Sequence, residues 1–243
     1  MYPFVEFRMP SYALWATIGV ICAVTFLFIR AEKFNISFKK MLLYIVSGGI
    51  FLLIGSRVFF IIGSIPNLIK DFEPSKLLHY LFHGGIVFYG GMFGFLFGIL
   101  MLSKKLNDST DNMLSYFVPA IPLFHIFGRI GCFFSGCCYG IPCNIGFPMA
   151  FDPQTIRFPV QLAESTCNIC IFLFLVLLEN KKSQKNILSI YLLIYAICRF
   201  CLEFLRDDSV RGIWGNISTA QIISIAVFII VVAKYCRTIS FKK

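Results

Sequence analysis

The stretch ILSIYLLIYAICRFCLEFL at residues 187–205 decides the fold. Roughly 20 mostly apolar residues are needed to cross the hydrocarbon core of a bilayer. This segment meets that length with only two charges, Arg199 and Glu203. Four residues apart, they fall on one face of a helix. An unpaired strand edge cannot survive in lipid, so a spanning segment of this kind is a helix. An ionisable residue at that depth is costly and marks a site by default.

Working outward, the whole chain has the same character. Of its 243 residues 58% are hydrophobic and 14% charged, with a mean hydropathy of +0.81. A soluble domain is usually about a quarter charged, so composition alone places the chain in the membrane class. Segments long and apolar enough to span lie near 12–29, 41–63, 77–102, 114–134, 160–178, 187–205 and 217–233. Gly and Pro interrupt the third and fourth. The expected fold is an all-α integral membrane protein of about seven transmembrane helices. It forms a single polytopic membrane domain over 1–243, with a small extracytoplasmic loop cap at about 135–159. The first span runs straight from Ile29 into Arg30 without a small-residue cleavage site, so it reads as an anchor rather than a removable leader.

Orientation follows from basic residues in the short loops. One set of loops holds thirteen lysines and arginines, among them Lys39, Lys40, Lys104, Lys105, Lys181 and Lys182. The other holds six, including Arg157 and Arg206. This asymmetry puts the N-terminus outside and the C-terminus in the cytoplasm. The net charge of +10 then reflects orientation and contact with anionic lipid head groups, and calls for no nucleic acid.

Ten cysteines raise the question of metal or disulfide. Cys22, Cys167, Cys170, Cys198 and Cys201 lie in apolar runs and read as small hydrophobic residues. Cys132, Cys137, Cys138 and Cys143 cluster at the outer end of the fourth span. Their spacing fits a zinc site poorly, since ligand pairs usually come as Cys-x2-4-Cys, and no metal or cofactor is expected. A disulfide at the outer face, or a thiol-redox protein, is the alternative for this cluster.

Three arginines lie at membrane depth, Arg57, Arg129 and Arg199. Glu203 can pair with Arg199, and Glu164 is the only other deeply placed acid. The charge that is missing fits a phosphate, which a guanidinium grips with its planar fork. Surplus arginine in a membrane site therefore points to a phospholipid head group. His79, His83 and His125 read as hydrogen-bonded structure. The glycines after His83 permit close approach of a helix or an acyl chain, with packing accounting for those at small-xxx-small spacing. The pairs around 86–89 suggest a break in the helix.

These residues resemble the prolipoprotein diacylglyceryl transferase family. The segment GGIVFYGG at 84–91 looks like the family's glycine-flanked motif. GRIGCFFSGCCYG at 128–140 looks like its signature, Gly-Arg-Leu-Gly-Asn-Phe-Ile-Asn-Gly-Glu-x-x-Gly. RFPVQLAE at 157–164 resembles Arg-His-Pro-x-Gln-Leu-Tyr-Glu, RFCLEFLR at 199–206 resembles Arg-x-x-x-Glu-Phe-x-Arg, and QIIS at 221–224 resembles Gln-Ile-Leu-Ser. Five matches in order cover nearly the whole chain.

The resemblance implies an enzyme of the bacterial inner membrane that takes phosphatidylglycerol and a preprolipoprotein signal peptide. It would move the diacylglyceryl group to the lipobox cysteine thiol, forming a thioether and releasing glycerol phosphate. Arg129 and Arg199 would hold the phosphate, Glu203 would orient Arg199, and Tyr12 would sit near the reacting centre. Arg57, Gly90, Gly91, Gln161 and Arg206 would complete the substrate-binding set. The chain departs from the pattern at Tyr89, where the family has histidine, and at Cys132, Ser135 and Cys137, where it has two asparagines and a glutamate. Tyr89 is then the candidate catalytic group, although a phenol titrates near 10 without help from arginine. A related transferase with another acceptor, and a phospholipid-binding or transport protein, are the competing readings.

Overall fold

Asparagine marks three of the helix boundaries. Asn35, Asn107 and Asn186 adopt left-handed backbone with φ of 53°, 56° and 76°, a conformation that a short polar side chain tolerates better than most. The apolar runs between them are helical in the computed structural model, which describes residues 10–70, 88–149, 152–179, 186–207, 213–214 and 217–240. The elements are α1 (Ser11–Arg30), α2 (Phe38–Lys70), α3 (Phe88–Lys105), α4 (Thr110–Phe117), α5 (Ala120–Ser135), β1 (Pro142–Met149), β2 (Asp152–Arg157), α6 (Val160–Glu179), α7 (Ile187–Glu203), β3 (Ile213–Trp214), β4 (Ile217–Ser218) and α8 (Thr219–Ser240). His79, His83, Gly84 and Gly85 lie outside the described residues.

Among the described residues, five helical stretches are long and apolar enough to cross a membrane: Ser11–Arg30, Phe38–Ile62, Thr110–Ser135, Val160–Glu179 and Thr219–Arg237. The fold is therefore mostly helical and membrane-type, with five candidate spans where the sequence suggested about seven. Of the third expected span, 77–102, residues 77–87 lie outside the described residues, and the described part belongs to α3, whose 18 residues end in Lys104 and Lys105; α7 has 17 residues. The fourth expected span, 114–134, falls within the Thr110–Ser135 stretch, where the helix ladder is interrupted at Val118–Pro119 because proline lacks the N–H that would continue it. Outward faces are apolar throughout, as at Ile29, Leu177 and Ile230, which are 72%, 64% and 67% exposed. In water such a surface would aggregate; in lipid it is solvated.

The chain divides into two compact units. The unit comprising Leu27–Phe117 is built on α2 and α3, which meet through glycines. A Cβ on Gly98 would stand 3.0 Å from Gly48 Cα, and one on Gly55 or Gly94 would collide with the facing backbone. The small-xxx-small spacing of Gly90, Gly94 and Gly98 thus serves helix packing. At the end of this unit Arg30 Nη1 donates to Tyr116 O at 2.9 Å and Nη2 to Ser115 O at 3.2 Å. These carbonyls close α4, where no intrahelical donor remains and a cation is favoured. Lys40 and Tyr44 both reach Asp108, at 2.5 and 2.8 Å, and fix the turn after α3.

The other unit, Met1–Phe26 with Val118–Lys243, holds α5 through α8 and most of α1. Trp15 of α1 stacks on Phe134 of α5 at 5.5 Å between ring centroids, and Phe26 meets Phe172 of α6 edge-on at 5.1 Å. Ser165 of α6 donates to Ile126 O of α5 at 3.2 Å. The loop after α5, where a small loop cap is expected, contains the β1–β2 antiparallel hairpin, a small addition to the helical architecture. The hairpin's flanks are stitched to the end of α7 by Ile141 N–H to Leu205 O at 3.0 Å and Asp207 N–H to Tyr139 O at 3.1 Å.

Candidate active site

Three helices of the second unit described bring their charged side chains to one place. From α5 comes Arg129, from α6 Glu164, and from α7 Arg199 and Glu203, with Arg206 just beyond; all five are buried. Glu164 is the hub. Its Oε2 lies 3.2 Å from Arg129 Nε and 3.2 Å from Arg199 Nη1, while its Oε1 accepts the Tyr195 hydroxyl hydrogen at 3.2 Å. Arg199 Nη2 meets Glu203 Oε2 at 2.6 Å, and Arg206 Nη1 stands 3.6 Å from the same oxygen. Carboxylates buried this deeply persist as anions only when cations face them at such range.

His125, one helical turn before Arg129, accepts from Arg129 Nε at 3.0 Å through its own Nε2. Acceptance at Nε2 requires the neutral imidazole with its hydrogen on Nδ1. His125 therefore adds no charge here, in keeping with a structural role. Three guanidinium groups then meet two carboxylates, one cation more than the buried acids. Among the described residues, no hydrogen bond engages the two terminal nitrogens of Arg129, because its anchoring runs through Nε. Arg199 by contrast directs both terminal nitrogens at carboxylates. The free fork of Arg129 is the geometry that suits a phosphate.

The remaining candidates fall around this centre or elsewhere. Tyr12 on α1 packs beside Gly131, whose Cβ position lies 3.3 Å from the Tyr12 ring. Gln161 is buried at the start of α6 and donates to Cys137 O at 2.7 Å, holding the loop that follows α5. Arg157 is taken up at the end of β2, with Asp207 Oδ2 at 2.7 Å, Gly140 O at 3.2 Å and the Tyr139 ring centroid at 4.9 Å. Arg57, Tyr89, Gly90 and Gly91 belong to the Leu27–Phe117 unit. There Tyr89 is buried at the start of α3 with its ring stacked on Phe93 at 6.0 Å, and Gly90 packs against Gly55 and Phe59.

Two residues were underrated in the sequence. Glu164 was visible as a deep acid inside the 157–164 motif, but only folding shows that it joins two arginines. His125 and Arg129 share a helix face by their four-residue spacing, a signal that was present and unused. The cysteine loop also lies close by, since Arg129 interacts electrostatically with Cys132 and Cys138. The Cys138 thiol is pulled well below its ordinary value by hydrogen bonds from the Cys132 and Cys137 thiols, helped by Arg129 and Arg206, against the opposing effect of burial.

Comparison with known proteins gives a consistent picture. The family model for prolipoprotein diacylglyceryl transferase matches residues 2–237. The chain is 33% identical over 234 residues to phosphatidylglycerol–prolipoprotein diacylglyceryl transferase 2 of Clostridium perfringens, covering 91% of this chain and 88% of that one. It is 32% identical over 231 residues to the phosphatidylglycerol–prolipoprotein diacylglyceryl transferase of Clostridium tetani, covering 92% and 90%. To the protein of the same name in Finegoldia magna it is 31% identical, covering 96% and 91%.

Proposed function

The chain belongs to the prolipoprotein diacylglyceryl transferase family, and we propose that it works as the family's name says, with Arg129 as the phosphate grip. It transfers the diacylglyceryl group of phosphatidylglycerol to the cysteine thiol of a prolipoprotein. The sulfur forms a bond to the glyceryl carbon while that carbon's bond to the phosphate oxygen breaks, and glycerol phosphate leaves. Negative charge grows on the phosphate as it departs, so donors fixed in place beforehand accelerate the step. The single observation that carries this assignment to residues is the surplus positive charge around Glu164, with the fork of Arg129 free.

In this reading Arg199 supports the grip through the second hydrogen on each terminal nitrogen, and Glu203 keeps it oriented. Arg206 adds charge, Tyr12 stands at the edge of the reacting centre, and Gln161 holds the adjoining loop. Arg57, Gly90 and Gly91 contribute on the donor side. The acceptor enters as the signal-peptide segment of the prolipoprotein, and membrane lipids surround the apolar outer faces. The test is direct. Purified protein is incubated with labelled phosphatidylglycerol and a lipobox peptide, and both thioether peptide and free glycerol phosphate are measured. Intact phosphatidylglycerol after prolonged incubation would instead favour a binding or transport protein.

Tyr89 is proposed to assist proton transfer or to position the donor. Tyr89→Phe keeps the ring and removes the hydroxyl, and is expected to lower turnover about tenfold to a hundredfold, the low end of what one positioned proton donor or acceptor supplies. A fully active variant would assign the base elsewhere. Tyr89→His is expected to retain activity.

The protein sits in the bacterial inner membrane with its N-terminus outside and its C-terminus in the cytoplasm. A cysteine introduced at Asn107 is expected to stay unlabelled by an impermeant thiol reagent in intact cells, and one at Asp152 to react above the labelling of the parent chain. The reverse pattern would invert the orientation.

A further inference from the structure

The helix cap at the end of α5 undoes the spacing argument against metal. Gly136 takes φ of 74°, its N–H turns back to Cys132 O and Phe133 O, and Cys137 N–H bonds Cys132 O at 3.1 Å. This left-handed cap folds the chain back on the last turn of the helix. Cys138 follows with a positive φ of 56°. As a result the sulfurs of Cys132, Cys137 and Cys138 all lie within 4.8 Å of one another, although five residues separate Cys132 from Cys137. Three sulfurs around one Zn2+, at a Zn–S length of about 2.3 Å, would sit roughly 3.8 Å apart, within reach of small side-chain rotations.

We propose that Cys132, Cys137 and Cys138 bind a thiophilic divalent ion of the Zn2+ type, whose fourth position receives the acceptor thiol as thiolate. The second clause rests on the transferase reading above; the first does not. Three protein ligands with one position open is the arrangement of catalytic rather than structural zinc. Cys143 does not belong to the site, because the sulfurs clustered within 4.8 Å of one another are those of Cys132, Cys137 and Cys138. Cys137 is exposed, which gives the ion an entry path, while Cys132 is buried and anchors it. Thiolate, not thiol, is the nucleophile. On binding the ion the acceptor thiol releases its proton to water. Its sulfur then bonds the glyceryl carbon as the carbon–oxygen bond to phosphate breaks, the electron pair leaving with glycerol phosphate. No oxidant or reductant is needed.

The test uses full-length protein in detergent under reductant, titrated with Co2+ as the optical stand-in for Zn2+. One equivalent is expected to give sulfur-to-cobalt charge-transfer and visible ligand-field bands, displaced by Zn2+. Cys137→Ser and Cys138→Ser are each expected to lose these bands and Cys143→Ser to keep them. A lipobox peptide is expected to intensify the charge-transfer band, and the same peptide with serine in place of cysteine to leave it unchanged. Absence of cobalt bands in the folded wild-type protein, or loss of them in Cys143→Ser, would overturn the site. An intramolecular disulfide among the three cysteines in protein isolated from membranes would overturn it as well. A cobalt spectrum indifferent to the peptide thiol would overturn the acceptor role. Thioether formation at full rate after complete chelation would also remove that role while leaving the transferase reading intact. Cobalt binding without any transfer to the peptide would count against the transferase reading and spare the metal site.

Discussion

Arg129→Ala is expected to reduce turnover by about a hundredfold to a thousandfold, the loss seen when one fixed donor to a developing oxyanion is removed. The protein should still insert and elute as a folded species, because Glu164 keeps Arg199 as its partner at 3.2 Å. Arg199→Ala is expected to fall as far, by a different route. It withdraws the cation shared by Glu164 and Glu203, so the field around the phosphate turns less positive and the neighbouring carboxylates lose their main counterion. Arg199→Lys should rescue poorly, since an ammonium is a point charge and cannot face two carboxylates at once with a planar fork. Steady-state release of glycerol phosphate measures all three. Near-normal rates in either alanine variant would remove the arginines from the chemistry.

The second large effect is on stability. Glu164→Ala leaves Arg129 and Arg199 facing each other in a buried site without the anion between them. Breaking a buried ion pair by removing one partner costs about 3–5 kcal/mol, because the remaining charge stays uncompensated. The variant is expected to accumulate poorly and to lose its folded elution peak at markedly lower temperature than the parent. Glu164→Gln keeps the shape and an oxygen for the Tyr195 hydroxyl, so it should lie between the two. A melting temperature for Glu164→Ala equal to that of the parent would show that the cluster is not what joins α5, α6 and α7.

Particular residues show which parts of this were legible in advance. Arg199 and Glu203 pair at 2.6 Å as their four-residue spacing implies, because helix geometry alone fixes which side chains share a face. The glycines of α3 pack as their period suggests, for the same reason. Glu164 could be seen as a deep acid, yet its bridge to Arg199 spans 35 residues and depends on how two helices meet. Local periodicity carries no such information. Spacing counted along the chain also hides that the left-handed cap at Gly136 helps bring the sulfurs of Cys132, Cys137 and Cys138 within 4.8 Å of one another. Hydropathy likewise averages over Pro119, while the helix ladder is interrupted there and the fourth run is built from α4 and α5.

The central claim is that a phosphate is held by the unbalanced positive charge at Arg129. Its most direct test is competition between two lipids that differ in the phosphate but share the two acyl chains. Protein in micelles containing equal amounts of phosphatidylglycerol and diacylglycerol is examined by native mass spectrometry, alongside a folded Arg129→Gln variant. The parent is expected to retain phosphatidylglycerol in strong preference, and the variant to lose most of that preference while binding diacylglycerol as before. An undiminished preference for phosphatidylglycerol in Arg129→Gln would contradict the account, because the phosphate would then be recognised somewhere else.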